Sequence, residues 1–399
     1  MHADFLVVAP CLISLAAYAL AWCVAMTATA LDRRRGSTAA PPPVPASLPC
    51  GGVTILKPLC GADEELEHNL LSFFRIDHEP VQLVFGVAAP DDAALPLVRR
   101  LARRFPGRDV AIVVGADPAI ANPKVAILES LLPHARHDVI LLSDSNVRLR
   151  GDEIAGVLPE FDDPDVGMVY QPVVAVGERT VAAAVENLHY TEYAAFLTIG
   201  VRVIAGQHTV NAKGQWVRRE ALEAIGGFVG VRDCGADDYE LSRLVAAAGY
   251  ALRPAAVPVT VVQRDWSWTS LTDRNLRHAG LRWRICPWAY PLELLFNPIP
   301  WAVPAALFGA GWLAVTVVAA KTLLEAVAAR ALRGVPLEPR FLAVVPLKDV
   351  FYFGCWFVAL FARTATWRGR PYRLCPGGRI EPLMGLPAAE MAASFRSAA

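Results

Sequence analysis

A long uncharged stretch runs from Phe5 to Leu31, and it limits the possible folds more than any other feature. A run of more than about 20 uncharged, mostly apolar residues is long enough to cross the hydrocarbon core of a bilayer. A signal peptide carries its positive charge before a shorter apolar core, whereas here Arg33, Arg34 and Arg35 follow the run. The pattern predicts an uncleaved anchor, with the main domain on the cytoplasmic side.

Two more apolar stretches, Phe296 to Ala320 and Phe341 to Ala362, lie near the end of the chain and are also long enough to span. Basic residues after the second stretch favour the cytoplasmic side, which predicts that the two stretches cross the membrane out and back as a hairpin. The loop between them is also basic and favours the cytoplasm, whereas a hairpin would place it outside. Either both stretches span the membrane, or one of the two is a re-entrant segment or an interfacial helix. The basic residues are Lys321, Arg330, Arg333 and Arg340 between the stretches, and Arg363, Arg368, Arg370 and Arg373 after them.

Lys348 and Asp349 lie inside the last apolar stretch. Charged side chains are costly in lipid unless they are paired or face a cavity. We expect them either to line a cavity open to lipid from the bilayer or to form a neutral pair at the interface.

Composition excludes several classes of protein. Of 399 residues, 54% are hydrophobic and 19% charged, which excludes a disordered scaffold and disfavours a purely water-soluble enzyme. Lys plus Arg and Asp plus Glu are equal at 38 each, so no overall field attracts nucleic acid, and we expect no nucleic-acid partner. The eight cysteines are scattered without a C-x-x-C pair, which disfavours a zinc site or a disulfide framework.

The middle of the chain alternates short apolar runs with segments of helical period, which predicts an α/β domain with a mostly parallel sheet. The predicted strands are Val53–Leu56, Val81–Val87, Val110–Val114 and Asp138–Leu142, and the predicted helices lie near Glu64–Phe74, over Ala93–Arg104 and from Lys124 onward. The predicted division is an anchor at residues 1–35, a Pro-rich linker at 36–50, the α/β domain at 51–290, membrane segments at 291–362 and a cytoplasmic tail at 363–399.

Carboxylates follow the predicted strands in three places where ligands bind in such sheets. Asp91 and Asp92 form the first pair, and Asp144 follows a very apolar strand. Asp237 and Asp238 precede a helix that runs to about residue 249. Asp144 is placed to hold Mg²⁺ or Mn²⁺ with a diphosphate, because these ions take hard oxygen ligands. Each carboxylate has a plainer alternative as a helix cap or a turn residue.

Arg274, Arg277 and His278 have the spacing of one helical face, so they are predicted to converge on an anionic group. The alternative is a basic helix end on the membrane surface.

Taken in order, these segments resemble the ceramide glucosyltransferase family, glycosyltransferase family 21, including its bacterial branch of hopanoid-associated glycosyltransferases. The resemblance implies a GT-A-type, Rossmann-like domain, and the family's layout has one N-terminal span and C-terminal spans. The segments that carry it are Leu56-Lys57-Pro58-Leu59-Cys60-Gly61, Asn122-Pro123-Lys124, Ser143-Asp144-Ser145, Asp237-Asp238-Tyr239, Arg274-Asn275-Leu276-Arg277-His278 and Trp367-Arg368-Gly369-Arg370-Pro371-Tyr372-Arg373.

The resemblance also implies roles for single residues. Asp92, with Asp91 beside it, looks like the first family Asp near UDP, and Asp144 looks like the Asp that binds the metal and the diphosphate. Asp238 looks like the general base. The remaining nucleotide-sugar-binding residues that the resemblance implies are Lys124, Asp237, Arg274, Arg277 and His278.

Two departures from the family pattern occur. His278 stands where the family's (Q/R)xxRW motif has Trp, and Asn146 stands where a second acid of the DxD element is expected. A histidine can stack on or donate to phosphate, and an amide oxygen can ligate a metal, so we expect altered affinity and retained activity.

The implied reaction is inverting transfer of one sugar, glucose or N-acetylglucosamine, from a UDP-sugar to a hydroxyl of a membrane lipid. Ceramide and a hopanoid such as bacteriohopanetetrol both fit as acceptors, with Mg²⁺ or Mn²⁺ as cofactor. The Ala, Arg and Pro content indicates a GC-rich bacterial genome, so the expected location is the bacterial inner membrane, multi-pass, with the catalytic domain in the cytoplasm. The alternatives are a processive polysaccharide synthase and a catalytically decayed membrane scaffold.

Overall fold

The computed structural model describes residues 2–38, 52–151, 153–211, 213–336 and 338–383. Most of the predicted linker, from residue 39 onward, and the last part of the predicted tail, from residue 384, lie outside the described residues.

The described residues form three sheets and a series of helices. The strands are β1 Val53–Leu59, β2 Val81–Val87, β3 Asp109–Val114, β4 Val139–Leu142, β5 Val147–Arg148, β6 Val166–Tyr170, β7 Val173–Val176, β8 Gln215–Arg218, β9 Ala251–Pro254, β10 Val259–Val262, β11 Thr364–Trp367, β12 Arg370–Leu374 and β13 Ile380–Pro382. The helices are α1 His2–Thr38, α2 Leu66–Phe74, α3 Ala94–Arg104, α4 Pro123–Leu131, α5 Glu153–Val157, α6 Val181–Tyr193, α7 Val201–Ala205, α8 Arg219–Ala224, α9 Asp237–Ala247, α10 Trp268–Ile285, α11 Pro298–Leu307, α12 Gly311–Arg333 and α13 Val344–Ala359.

The largest sheet has seven strands in the order β3-β2-β1-β4-β8-β6-β9. Strands β1 to β4 are parallel to one another, whereas β8 is antiparallel to both of its neighbours. Because β1, β2 and β4 run in the same direction, the loops that follow them lie at one edge of the sheet. The predicted α/β fold class, with a mostly parallel sheet, is confirmed.

Helices cover both faces of this sheet. Neighbouring residues of β1 point to opposite faces: Ile55 packs in the core with α2 and α3, and Leu56 packs in the core with α4 and α9. Such burial on both faces explains why the strands read as continuous apolar runs. The close approach of α4 requires Gly86 on β2, because a Cβ there would lie 2.5 Å from Leu131 Cδ2.

Three of the described helices are long and apolar enough to cross a membrane, as predicted, with one near the N-terminus and two near the C-terminus. The middle one of these helices is α12, and its bounds differ from those of the predicted stretch Phe296–Ala320. That stretch is divided between α11 and the start of α12 by a turn in which Gly309 has φ +94°. The ten residues of α11 are about 15 Å long, roughly half of the hydrocarbon thickness, so α12 is the helix long enough to span.

Charged residues inside α12 explain why its full length was not predicted. Lys321, assigned to a loop on the sequence, is fully buried and pairs with Glu325 at 2.7 Å and with Asp349 at 2.9 Å. Lys348 is also buried and lies 2.5 Å from Glu192 and 2.8 Å from Asp349. These residues form a network of charged groups between α6, α12 and α13.

The three carboxylates of this network lie within 4.8 Å of one another, which is the spacing of a metal site. The ammonium groups of Lys321 and Lys348 lie among them and offset two of the three charges, so the network is an ion-pair cluster. Lys348 and Asp349 therefore have buried partners, and their role along a lipid path stays a prediction.

Helix α13 packs along α10 of the α/β domain, and the choice between a span and an interfacial helix stays a prediction. Val344 near its start packs in a cluster with Leu271 of α10, and Ala359 at its end packs in a cluster with Ala279 of the same helix. Both ends of α13 thus contact one helix of the α/β domain.

The segment after α13 is folded against the α/β domain. Strands β11, β12 and β13 form an antiparallel sheet, which we call the C-terminal sheet. Tyr372, Leu374 and Ile380 of this sheet are buried in a cluster with Leu281 of α10. Residues 364–382 therefore pack as part of the folded domain. The predicted boundary at residue 363 assigns this sheet and α10 to different parts of the chain, although their side chains are in contact.

Candidate active site

The candidate site lies at the edge of the large sheet where β4 ends. Asp144 follows β4, and its Oδ2 is 2.5 Å from the Lys213 ammonium while its Oδ1 is 3.5 Å from the Lys124 ammonium. Burial alone would raise the pKa of Asp144, but Lys124 and Lys213 hold this pKa well below its usual range. Asp144 is therefore a fixed negative charge throughout the physiological pH range.

Lys124 joins the carboxylate after β4 to the one at the start of α9. Its ammonium lies 2.8 Å from Asp237 Oδ2 as well as contacting Asp144. Burial opposes the charge, but Asp144 and Asp237 raise the pKa of Lys124 well above its ordinary value. Lys124 is held here because Asn122 caps α4 by accepting from the Lys124 and Val125 amides and also donates to Asp237 Oδ1 at 3.2 Å.

Two lysines at this site were not predicted. Lys57 on β1 is 1% exposed and donates to the Asp144 carbonyl at 2.7 Å and to Ser143 Oγ at 3.2 Å. Burial lowers the pKa of Lys57 well below its ordinary value. Lys213, 6% exposed, bridges Asp144 and Asn146, with its ammonium 3.0 Å from Asn146 Oδ1. A lysine within a continuous apolar strand is a sequence signal for Lys57, since a buried cation needs partners; Lys213 precedes β8 in a loop and carries no such signal.

The two residues of the first predicted carboxylate pair have different surroundings: Asp92 accepts hydrogen bonds, and Asp91 is exposed. Asp92 accepts from the Gly61 amide at 3.0 Å and from the Ala94 amide at 2.8 Å, so it ties the β1–α2 loop to the start of α3. Asp91 is exposed on the turn. The capping alternative for Asp92 is observed, and the role of both residues near a nucleotide stays a prediction.

Asp238, the predicted base, is half-buried in the first turn of α9 beside Asp237. Its Oδ1 accepts from the Tyr239 amide at 2.9 Å, and its carbonyl accepts from Gln215 Nε2 at 3.1 Å. The carboxylate is thus held at the helix start next to the pair formed by Asp237 and Lys124.

Arg277 and His278 of α10 lie side by side. The Arg277 guanidinium stacks over the Trp367 ring, 4.3 Å from its centroid, and its Nη2 lies 3.4 Å from His278 Nε2. Burial and nearby Arg274 lower the pKa of Arg277 to about 9, so the side chain keeps its charge at neutral pH. Burial, then Arg277 and Arg274, lower the pKa of His278 well below its usual range, so His278 is neutral and accepts from Arg277.

Comparison with known proteins identifies the family of this chain. The sequence model described as Glycosyl transferase family 21 matches residues 11–380, which is most of the chain. The chain belongs to glycosyltransferase family 21. The predicted class of enzyme, a glycosyltransferase, is confirmed by this match.

Curated relatives of this family 21 chain carry the name ceramide glucosyltransferase. Ceramide glucosyltransferase 3 of Caenorhabditis elegans is 25% identical over 351 residues, which are 84% of this chain and 75% of the relative. Ceramide glucosyltransferase 1 of the same organism is 25% identical over 267 residues, which are 66% of this chain and 56% of the relative. The resemblance predicted from the motifs is confirmed.

Likeness to solved structures is weaker. The mannosyltransferase PcManGT from Pyrobaculum calidifontis, in complex with GDP-Man and Mn²⁺, has a TM-score of 0.49 and 19% identity, covering 88% of this chain and 99% of its own. TarS residues 1–349 of S. aureus, in complex with UDP-GlcNAc, has a TM-score of 0.41 and 11% identity, covering 84% and 100%. The assignment to family 21 therefore rests on the sequence match.

Arg274 of this family 21 chain is engaged away from the carboxylates. Its Nε lies 2.8 Å from Oε1 of Glu186, a fully buried residue of α6, and its guanidinium stacks over Tyr190 and Trp266. Glu186 also accepts from Asn275 at 2.8 Å. The structure thus brings Arg277 and His278 together but gives Arg274 a buried partner, and the role of Arg274 at the donor stays a prediction.

The neutral state of His278 predicts a pH dependence of stability. The unfolded chain protonates this ring near pH 6.5, whereas the folded protein does so only at lower pH. Stability from His278 is therefore complete above about pH 6.5 and decreases as pH falls, by up to about 1.4 kcal/mol per pH unit. We expect His278→Gln to flatten the fall of Tm between about pH 7 and about pH 5, measured in detergent.

The same substitution at exposed His134 is the control for this measurement. A His278→Gln variant whose Tm falls with pH as steeply as that of the wild type would show that His278 is charged in the folded protein.

Proposed function

We propose that this family 21 enzyme transfers one sugar from a UDP-sugar to a hydroxyl of a membrane lipid, with inversion at the anomeric carbon. The observation that carries the proposal is the meeting of Asp144, Lys124 and Asp237, with Asp238 beside them, at one sheet edge. Glucose to ceramide is supported by the names of the relatives, and the hopanoid acceptor by the composition. A multi-pass membrane location with the catalytic domain in the cytoplasm is supported by the three apolar helices and by Arg33 to Arg35.

The charges around Asp144 suit a donor diphosphate. Lys124 and Lys213 contact this single carboxylate, Lys57 donates to the backbone carbonyl of the same residue, and Arg277 adds a further positive charge. Developing negative charge on a leaving diphosphate is stabilised best by cations that are already fixed in a partly buried site. These groups are therefore proposed to bind the diphosphate and to stabilise it as it leaves.

A divalent metal fits the oxygen atoms of this site. Asp144 Oδ2 and Asn146 Oδ1 both contact the Lys213 ammonium, so two hard oxygens face one cation position. Asp144 and Asn146 would hold Mg²⁺ or Mn²⁺, which supplies charge neutralisation for the diphosphate when bound. The carboxylate after β4 is thus the proposed metal ligand.

The proposed step needs one base. The lipid hydroxyl oxygen forms a bond to the anomeric carbon, the bond from that carbon to the UDP oxygen breaks, and the hydroxyl proton passes to the Asp238 carboxylate. UDP leaves on the opposite face, so the product is a β-glycoside of the lipid.

The test is transfer of label into lipid. Membranes that contain the protein are incubated with radiolabelled UDP-glucose or UDP-N-acetylglucosamine, with ceramide or bacteriohopanetetrol, and with or without Mn²⁺ or Mg²⁺. We expect a metal-dependent, labelled monoglycosyl lipid from one donor and acceptor pair. Label in a polymer would instead indicate a polysaccharide synthase, and the absence of both transfer and UDP binding would indicate a scaffold.

A further inference from the structure

The C-terminal sheet is built onto the loop that leads to Asp237 and Asp238. The Ile380 amide donates to the Asp233 carbonyl at 2.7 Å, and the Gly235 amide donates to the Gly378 carbonyl at 2.8 Å. A Cβ at Gly235 would lie 2.6 Å from Leu281 Cδ2 and 2.9 Å from Ile380 Cγ2, so the contact requires glycine. The sheet and the loop are therefore one packed unit.

The tip of the β11–β12 hairpin reaches the other parts of the site. Trp367 lies against the Arg277 guanidinium, and Arg368, in the next position, has φ +47°. A non-glycine residue is held in this conformation only when its surroundings fix it. The hairpin thus places the Arg368 side chain over the β1–α2 loop.

Arg368 is linked to the loop of Asp144 by two successive contacts. Its Nη1 donates to the Cys60 carbonyl and its Nη2 lies 3.1 Å from Asp63 Oδ2. The same oxygen of Asp63 accepts from Ser145 Oγ at 2.6 Å, and Ser145 is adjacent to Asp144. The Arg368 side chain is nonetheless 44% exposed, so a ligand can reach it from solvent.

We propose that Arg368 is a donor-binding residue, whose guanidinium rests on Asp63 when the site is empty and contacts the diphosphate of the nucleotide-sugar when it is bound. This inference rests on the proposed function, because it takes the donor to be a nucleoside diphosphate sugar. The planar fork of a guanidinium binds two phosphate oxygens at once, and a diphosphate offers more charge than the single carboxylate of Asp63. The C-terminal sheet is, on this proposal, a part of the donor site.

The experiment compares Arg368→Gln with Arg373→Gln. Arg373 lies on the same sheet, is exposed, and pairs with Glu381, so its substitution makes the same change of charge away from the site. We expect Arg368→Gln to weaken the binding of UDP, and to raise the KM for the UDP-sugar, by about tenfold to about 100-fold, with the KM for the lipid unchanged. Arg373→Gln should match the wild type, and Arg368→Lys should lie between the two.

The variant Asp63→Asn distinguishes a purely structural role of Arg368 from a direct contact with the donor. If Arg368 only held Asp63 in place, Asp63→Asn and Arg368→Gln would weaken UDP binding equally, and the proposal would be overturned. It would also be overturned if Arg368→Gln bound UDP within about twofold of Arg373→Gln. A wild-type protein that binds UDP but transfers no sugar would refute the proposed function alone, because UDP binding by the variants still decides the role of Arg368.

Discussion

Replacing Asp238 with Asn is expected to lower the turnover number for sugar transfer by about 100-fold to about 10,000-fold, the usual contribution of a general base. An amide has nearly the same size but cannot take the proton of the lipid hydroxyl. Binding of UDP should change little, because the amide keeps the size of the side chain and the proposed proton transfer takes place only during turnover. The measurement is the initial rate of label transfer over a range of donor concentrations, together with binding of UDP.

Glu240→Gln is the matched control for this substitution. Glu240 lies on the same helix and pairs with Arg243 at the surface, where an ion pair contributes little to stability. It should keep nearly wild-type turnover. Turnover of Asp238→Asn above about a tenth of the wild-type value would assign the base to another residue.

Replacing Asp144 with Asn is expected to have the second large effect, a loss of at least about 1,000-fold in kcat/KM for the UDP-sugar. The substitution removes the proposed metal ligand and leaves the charges of Lys124 and Lys213 without their shared carboxylate. Because the pKa of Asp144 is held below its usual range, the carboxylate adds stability above about pH 4, and this stability is lost as pH falls further. Asp144→Asn should therefore also lower Tm at neutral pH.

A second substitution separates the electrostatic effect from misfolding. In the double variant Asp144→Asn with Lys213→Met, one of the uncompensated charges is absent, so Tm should be higher than in Asp144→Asn alone, while sugar transfer stays low. A double-mutant cycle measures this coupling between Asp144 and Lys213. If the two changes to Tm simply add, the contact between these side chains contributes nothing to folding, and the electrostatic account of the site is wrong.

The sequence was most informative where local pattern decides the structure. The strand Val81–Val87 was predicted with the observed bounds, and the helix over Ala93–Arg104 begins one residue later than expected. These elements are set by apolar periodicity and by short contacts such as the Asp92 cap.

Contacts between distant parts of the chain were the ones that the sequence did not reveal. The predicted residues Asp144, Lys124 and Asp237 do meet, but Lys213 reaches Asp144 across 69 positions and Arg368 reaches Asp63 across 305. The position of α12 was missed for the same reason, since Lys321 ends an uncharged stretch in the sequence and its partner Asp349 lies on another helix. Pairing over such distances depends on the sheet order and not on local composition.

The buried ion pairs of α12 also bear on how the protein is inserted into the membrane. Alone in lipid, this helix would keep only the pair that Lys321 and Glu325 make with each other, whereas a single charge at the bilayer centre opposes insertion by about 2.5 to 3.5 kcal/mol. Their further partners Asp349 and Lys348 are on α13, which is synthesised later. Burial of α12 in lipid is therefore most favourable once α6 and α13 are packed against it, so membrane burial of this helix and folding of the rest of the chain are coupled.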